Sequence, residues 1–330
     1  MNSSRKINYS TRVAKNIERK MIRDLLTRYS SSYPMDEYTY IGFGSKYFTD
    51  FLLMHKYLHI KKLISIEGDV GNKAKYDFNR PLNCIQMKYG MSSEVLPDIS
   101  LDKNRSIIWL DYDGLLESYC FSDIANLIGR LSTGSILLIS YNSRPPKAAE
   151  LKATYQDIDK ASERLVKYLH DKHGSEYIPH DLNIKGLGKW DKYSNLLRCF
   201  IINCIEKRLQ VINRGVEEKL GYKQLINFNY QDGCEMSTLG FTFFNNEADL
   251  DKLESAHLGT FDFYKESEEA YYIEVPNLTM KEVKALLEIM PLSSSSSEFK
   301  KLSAVIPPTE INSFSKIYKY LPIFIDSELA

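Results

Sequence analysis

Between residues 38 and 142 of this 330-residue chain, short apolar runs alternate with helix-period segments; after residue 222 that alternation stops. The runs are YTYIGFG (38–44), KLISIEGD (62–69), NCIQMKYG (83–90), RSIIWLDYDG (105–114) and GSILLISYN (134–142). Helical stretches fall at 45–60, after the second run, and near 119–131. Strands that are continuously Ile/Leu/Val must be covered on both faces, which implies a parallel sheet with helices on either side. Right-handed crossovers make such a sheet doubly wound. Two further strands, KQLINFNYQDG (223–233) and EMSTLGFTFFN (235–245), have only a turn between them. A parallel return needs a long crossover, so these two pair antiparallel. The expected fold is an α/β, doubly wound, mostly parallel seven-stranded sheet with an antiparallel terminal hairpin.

What lies outside that frame divides the chain further. Residues 1–37 form a basic helical segment, 145–222 a helical insertion, 223–248 the hairpin and 249–330 a small α+β cap with a strand at 270–276. PLSSSSSE (291–298) reads as a flexible linker. A hydrophobic content of 43% is ample for a packed core. The zero formal charge gives no global support for phosphate neutralisation, so a nucleic-acid partner would need a local patch. The five cysteines form no C-x-x-C pair and lie mostly in apolar runs, as buried thiols of a reducing compartment do. No run approaches the roughly 20 apolar residues of a membrane span, and the N-terminus lacks a signal-peptide core. The expectation is a soluble cytoplasmic protein with no membrane partner.

Chemistry-bearing residues gather at the carboxyl ends of the strands. Gly42 and Gly44 flank Phe43 where the first strand ends, permitting a sharp turn and close approach to main chain. A helix beginning near Ser45 would aim N–H groups into the same space. A purely structural glycine turn is the equal alternative. Glu67, followed by Gly68, ends the second strand and can accept hydrogen bonds from both hydroxyls of an adenosine ribose; the alternative is an exposed strand-end carboxylate. Asp111 and Asp113, with Tyr112 between them, end the fourth strand, placed to orient or deprotonate a nucleophile. Residues 11–28 have apolar positions at helical spacing with Arg12, Lys15, Arg19 and Arg23 opposite, a solvated face or an anion-binding one. His55/His59 and His170/His173 have helical ligand spacing without a third ligand, and read as surface pairs. No metal site is expected.

Taken together, these residues resemble the S-adenosylmethionine-dependent methyltransferases with a Rossmann-like fold, whose five parallel strands are followed by an antiparallel hairpin. The resemblance covers 38–142 and 223–245, making 38–144 the cofactor-binding half. It implies that Gly42, Phe43 and Gly44 approach the methionine portion of S-adenosylmethionine. It places Glu67 and Gly68 at the ribose, and Met91 and Ser92, in YGMSSEVLPD (89–98), at the adenine. Asp111 and Asp113 would stand at the methyl-transfer site. Tyr112 and Asn142 join the four helix cations as candidates for the acceptor, an oxygen or nitrogen nucleophile on a small molecule or nucleic acid. A homo-oligomer or protein partner is compatible with this reading. The chain departs from the pattern at Tyr40, where an acid is frequent, at Lys46 in place of a third glycine, and at Met91. Those departures motivate a second reading, an inactive sensor or interaction module whose pocket is plugged by Tyr40 or Lys46. A nicotinamide-dependent dehydrogenase is a third.

Overall fold

The computed structural model describes residues 12–101, 104–292 and 297–322; the first eleven residues and the middle of the serine run lie outside the described residues. The strands are β1 (Thr39–Gly42), β2 (Lys62–Glu67), β3 (Ile85–Tyr89), β4 (Ser106–Leu115), β5 (Ile136–Asn142), β6 (Gly221–Gln231), β7 (Glu235–Phe244) and β8 (Tyr271–Ile273). They form one sheet in the order β3-β2-β1-β4-β5-β7-β6-β8. β1 to β5 are mutually parallel and β7 runs antiparallel to both β5 and β6. The strand order reverses between β1 and β4, where a doubly wound sheet opens its ligand crevice. The expected seven strands become eight. Phe228 and Tyr230 of β6 pair with Tyr271 and Ile273, so the tail's short strand extends the sheet in parallel.

Helices cover both faces. One core layer joins α1 (Val13–Tyr29) and α2 (Thr49–Leu58) to Tyr40, Trp109, Leu138 and Phe228. The other joins α5 (the fifth helix, Ser118–Ile128) and α8 (the eighth, Trp190–Ile212) to Ile41, Ile108, Leu110 and Ile139. Successive strand residues thus point to opposite covered faces, which explains why the strands carry no polar alternation. α3 (Lys73–Asn79) and α4 (Ser92–Val95) follow β2 and β3; α6 (Ala148–Thr154) and α7 (Ala161–His173) precede α8. α9 (Glu247–Glu254), α10 (Met280–Glu288), α11 (Ser297–Leu302) and α12 (Pro308–Ile317) complete the chain, with Leu286, Ile306, Ile311 and Phe314 forming a small third core.

Two local departures from the sequence reading shape the site. α2 begins at Thr49 rather than near Ser45, because Ser45 and Phe48 both adopt left-handed backbone (φ 49°) and spend four residues on a turn. Phe48 N–H closes that turn on the Gly44 carbonyl at 2.8 Å. β4 does not stop at Asp111 but runs to Leu115, with its register against β5 shifting between the two. Bulges of this kind re-aim side chains at the rim of a sheet.

Candidate functional site

Gly42 pairs with Ser65 on β2 and with Trp109 on β4. Glu67 and Asp111, each two residues further, therefore stand level with Gly44 on the strands either side of it. Two strand spacings put their backbones about 10 Å apart. Around them lies a cavity of about 360 Å³, bordered by Phe43, Gly44, Glu67, Gly68, Met91, Ser92, Asp111, Tyr112 and Asp113. All nine were singled out in the sequence. Arg19, Asp50, Gly90 and Tyr119 border it too.

The glycine question has a structural answer. A Cβ on Gly42 would lie 2.7 Å from the Tyr40 hydroxyl, and one on Gly44 would lie 2.6 Å from the Phe48 ring and 2.7 Å from Ser65 Oγ. The protein's own side chains thus already require bare main chain. Gly42 does not border the cavity; Gly44 does. Nor do Tyr40 or Lys46 plug it: Tyr40 is buried edge-on against Phe51, ring centres 4.9 Å apart, and neither residue borders the cavity.

Gly44 N–H donates to Ser65 Oγ at 3.1 Å, and that hydroxyl donates to Glu67 Oε1 at 3.0 Å. Glu67 is 6% exposed. Burial pushes its carboxyl up to about 7, against the hydrogen bonds from Ser65 and the Ser45 and Gly44 N–H groups. It is therefore a sheltered acceptor facing the cavity, not an exposed strand end.

Asp111 is held differently. The first helix packs with its cationic side inward, so Lys15 and Arg19 are 2% and 4% exposed; neither lies on a solvated face. Lys15 Nζ donates to Asp111 Oδ1 at 2.8 Å, to Ser140 Oγ and Tyr230 Oη at 3.3 Å each, and stands 2.8 Å from Glu18 Oε2. Burial opposes ionisation of Asp111, but Lys15, then Arg19 and Arg12, outweigh it and hold the carboxyl below the usual range. Burial leads in raising Glu18 above its ordinary value despite Lys15. Arg19 pairs with Asp50 in the first turn of α2. Arg12 pairs with Asp232 at 2.6 Å and Arg23 with Asp24 at 2.5 Å. Each of the four candidate cations thus already faces a carboxylate, and only Arg19 borders the cavity.

On the far wall, Phe43, Tyr112 and Tyr119 form an aromatic row with centres 5.7 and 5.9 Å apart. Asp123 of α5 accepts from Ser92 Oγ at 2.5 Å and from the Tyr112 hydroxyl at 2.8 Å, tying the segments after β3 and β4 together. Asn142 lies outside the cavity and accepts from the Arg144 N–H at 2.9 Å. The sequence reading missed Asp50 and Asp123. Asp50 carried one signal, an acid just after the glycine turn; Asp123 sat in a helix with none. His173 corrects the surface expectation: it is 2% exposed, its Nδ1 2.5 Å from the Leu116 carbonyl oxygen, and burial lowers it to about 4. Among the described residues no group of three His, Cys, Asp or Glu could hold a metal.

Residues 7–329 match the model of a protein family described as "Putative O-methyltransferase". The chain belongs to this O-methyltransferase family. Its five parallel strands followed by an antiparallel hairpin are those expected from the resemblance, and the dehydrogenase reading falls with the assignment. No curated protein matches the sequence. Among solved structures, the chain is similar to Trm1 of Pyrococcus horikoshii in complex with S-adenosyl-L-methionine, at 9% identity and TM-score 0.43. That match covers 75% of this chain, which spans only 60% of that protein. It is also similar to the plantazolicin methyltransferase BamL in complex with SAH (12% identity, 72% of this chain and 88% of that one, TM-score 0.40). A third similarity is to the N-methyltransferase NodS of Bradyrhizobium japonicum (13%, 69% and 97%, TM-score 0.36). The family assignment of this O-methyltransferase rests on the sequence match alone.

Proposed function

We propose that this O-methyltransferase takes its methyl group from S-adenosylmethionine, held in the cavity between β2, β1 and β4. The observation that carries the reading is Glu67: a carboxylate sheltered from water, level with Gly44, bordering the cavity with its Oε1 taken by Ser65. A ribose offers two further hydroxyl donors to the same carboxylate. The cavity volume of about 360 Å³ falls within the range of small-molecule sites, roughly 300–1,000 Å³. At the same cavity, Arg19 and Asp50 present one cation and one anion, complementary to the carboxylate and ammonium of an amino-acid end. Gly90, Met91 and Ser92 line the space left for a base. Asp50 supplies the acid absent at Tyr40.

When bound, the sulfonium offers a methyl group that needs chiefly an aligned nucleophile and exclusion of water. Asp111, kept anionic, suits accepting a hydrogen bond from an acceptor O–H and so orienting it, more than stripping its proton. Asp113, also at the cavity, is the candidate to receive that proton. The aromatic row keeps bulk water off one wall. A small-molecule oxygen acceptor fits best, because the matched charges of the first helix leave no surplus to neutralise a polyanion. Among the described residues no helix is long and apolar enough to cross a membrane. The five cysteines are unpaired thiols, and on that basis we place the protein in the cytoplasm. Calorimetric titration with S-adenosylmethionine and S-adenosylhomocysteine tests the reading; absence of heat and of any thermal shift with both would sink it.

A further inference from the structure

Lys15 is a buried, heavily engaged cation. Besides its four oxygen partners, its ammonium stands 4.8 Å from the Trp109 ring centre and 5.7 Å from that of Tyr230. Such a group is costly to bury, and a neutral residue of similar volume would fill the space at less cost. Its partners are unequal in position. Glu18 is 0% exposed and points into the core, whereas the Asp111 side chain keeps 16% exposure and borders the cavity. The charges facing Asp111 are Arg12, just before α1, and Lys15, Glu18 and Arg19 from α1, with the hydroxyls of Tyr40 on β1 and Tyr230 on β6. Lys15 donates a direct hydrogen bond to it at 2.8 Å.

We propose that Lys15 is a positioning residue that fixes Asp111 as an anion at the cavity wall, and that this charge makes the site prefer a positively charged sulfonium over the neutral thioether left after transfer. This rests on the cofactor reading above and extends it to the first helix, which no cavity contact of Lys15 would reveal. Substrate and spent cofactor share the ribose, the base and the amino-acid end. Interactions at Glu67, Arg19 and Asp50 therefore hold both equally. Only a fixed charge near the reacting sulfur separates them, and it speeds exchange of product for substrate. Lys15 offsets part of that charge, but Asp111 borders the cavity and Lys15 does not, so the nearer anion prevails at the sulfur; at an effective dielectric near 20 the remainder is enough for about tenfold in relative affinity.

The test needs no acceptor. Calorimetry on the full chain gives Kd for S-adenosylmethionine and for S-adenosylhomocysteine, and the quantity read is their ratio. D111N and K15M should each shift that ratio against the sulfonium by about tenfold while S-adenosylhomocysteine binding changes by less than about threefold. If K15M does not fold, because Glu18 and Asp111 are left facing each other, K15M/E18Q removes the second buried carboxylate and carries the same comparison. Equal weakening of both ligands, or an unchanged ratio in both D111N and the folded Lys15 variant, overturns the proposal. Failure of the wild type to bind either ligand is a different result: it removes the cofactor reading itself.

Discussion

Glu67 and Asp111 occupy equivalent places on the two strands flanking β1, yet their surroundings push them in opposite directions. Glu67 meets only neutral donors, a serine hydroxyl and peptide N–H groups, so burial prevails and its carboxyl rises to about 7. Asp111 meets an ammonium at 2.8 Å, so charge prevails over burial and it stays ionised. The difference lies in what the first helix reaches. α1 extends to β4, β5 and β6 through Lys15. Separating two carboxyl groups by environment lets one site grip neutral hydroxyls and face a cation at once.

That comparison can be broken in graded steps. The largest effect is expected from Lys15→Ala, which strands the buried Glu18 and the part-buried Asp111; a loss of about 3–5 kcal/mol in denaturant unfolding is expected. A loss under about 1 kcal/mol would show that the cluster is not held by charge. Next is pH. Glu67 binds its proton more tightly folded than unfolded, so its contribution to stability is complete below about 4.5 and is lost as pH rises to about 7. Unfolding at pH 5 and pH 8 should show that decline, of order 3 kcal/mol at 1.36 kcal/mol per unit, and Glu67→Gln should flatten it. Ligand affinity should move the other way, since hydroxyl donors need the ionised form: Kd for S-adenosylhomocysteine should weaken up to about tenfold per unit below pH 7. Gly44→Ala comes third. Its Cβ meets a ring and a hydroxyl below 3 Å, which should cost about 1–3 kcal/mol of stability whether or not ligand is present. Ser65→Ala is the mildest, at about 1 kcal/mol, with Gly44 N–H losing its acceptor.

Much of this frame was legible before the structure. Continuous apolar strands announced a parallel sheet, and the bare turn between β6 and β7 announced the hairpin, because both follow from local pattern. Strand ends located Glu67 and Asp111 for the same reason. What escaped depended on distant partners. Periodicity identifies the apolar side of α1 but is silent on whether the other side is covered; Lys15 finds its lids 96, 125 and 215 residues away. β8 is three residues long and has meaning only beside Phe228 and Tyr230. The late start of α2 follows from left-handed backbone at Ser45 and Phe48, residue types that give no such warning.

The most direct test is a titration of wild type and Glu67→Gln with S-adenosylhomocysteine at pH 8, where the native carboxyl is ionised. The account predicts one ligand bound per wild-type chain and about a hundredfold weaker binding by the variant, the loss of charge-assisted hydrogen bonds to two hydroxyls. Binding of equal strength by both proteins would contradict it.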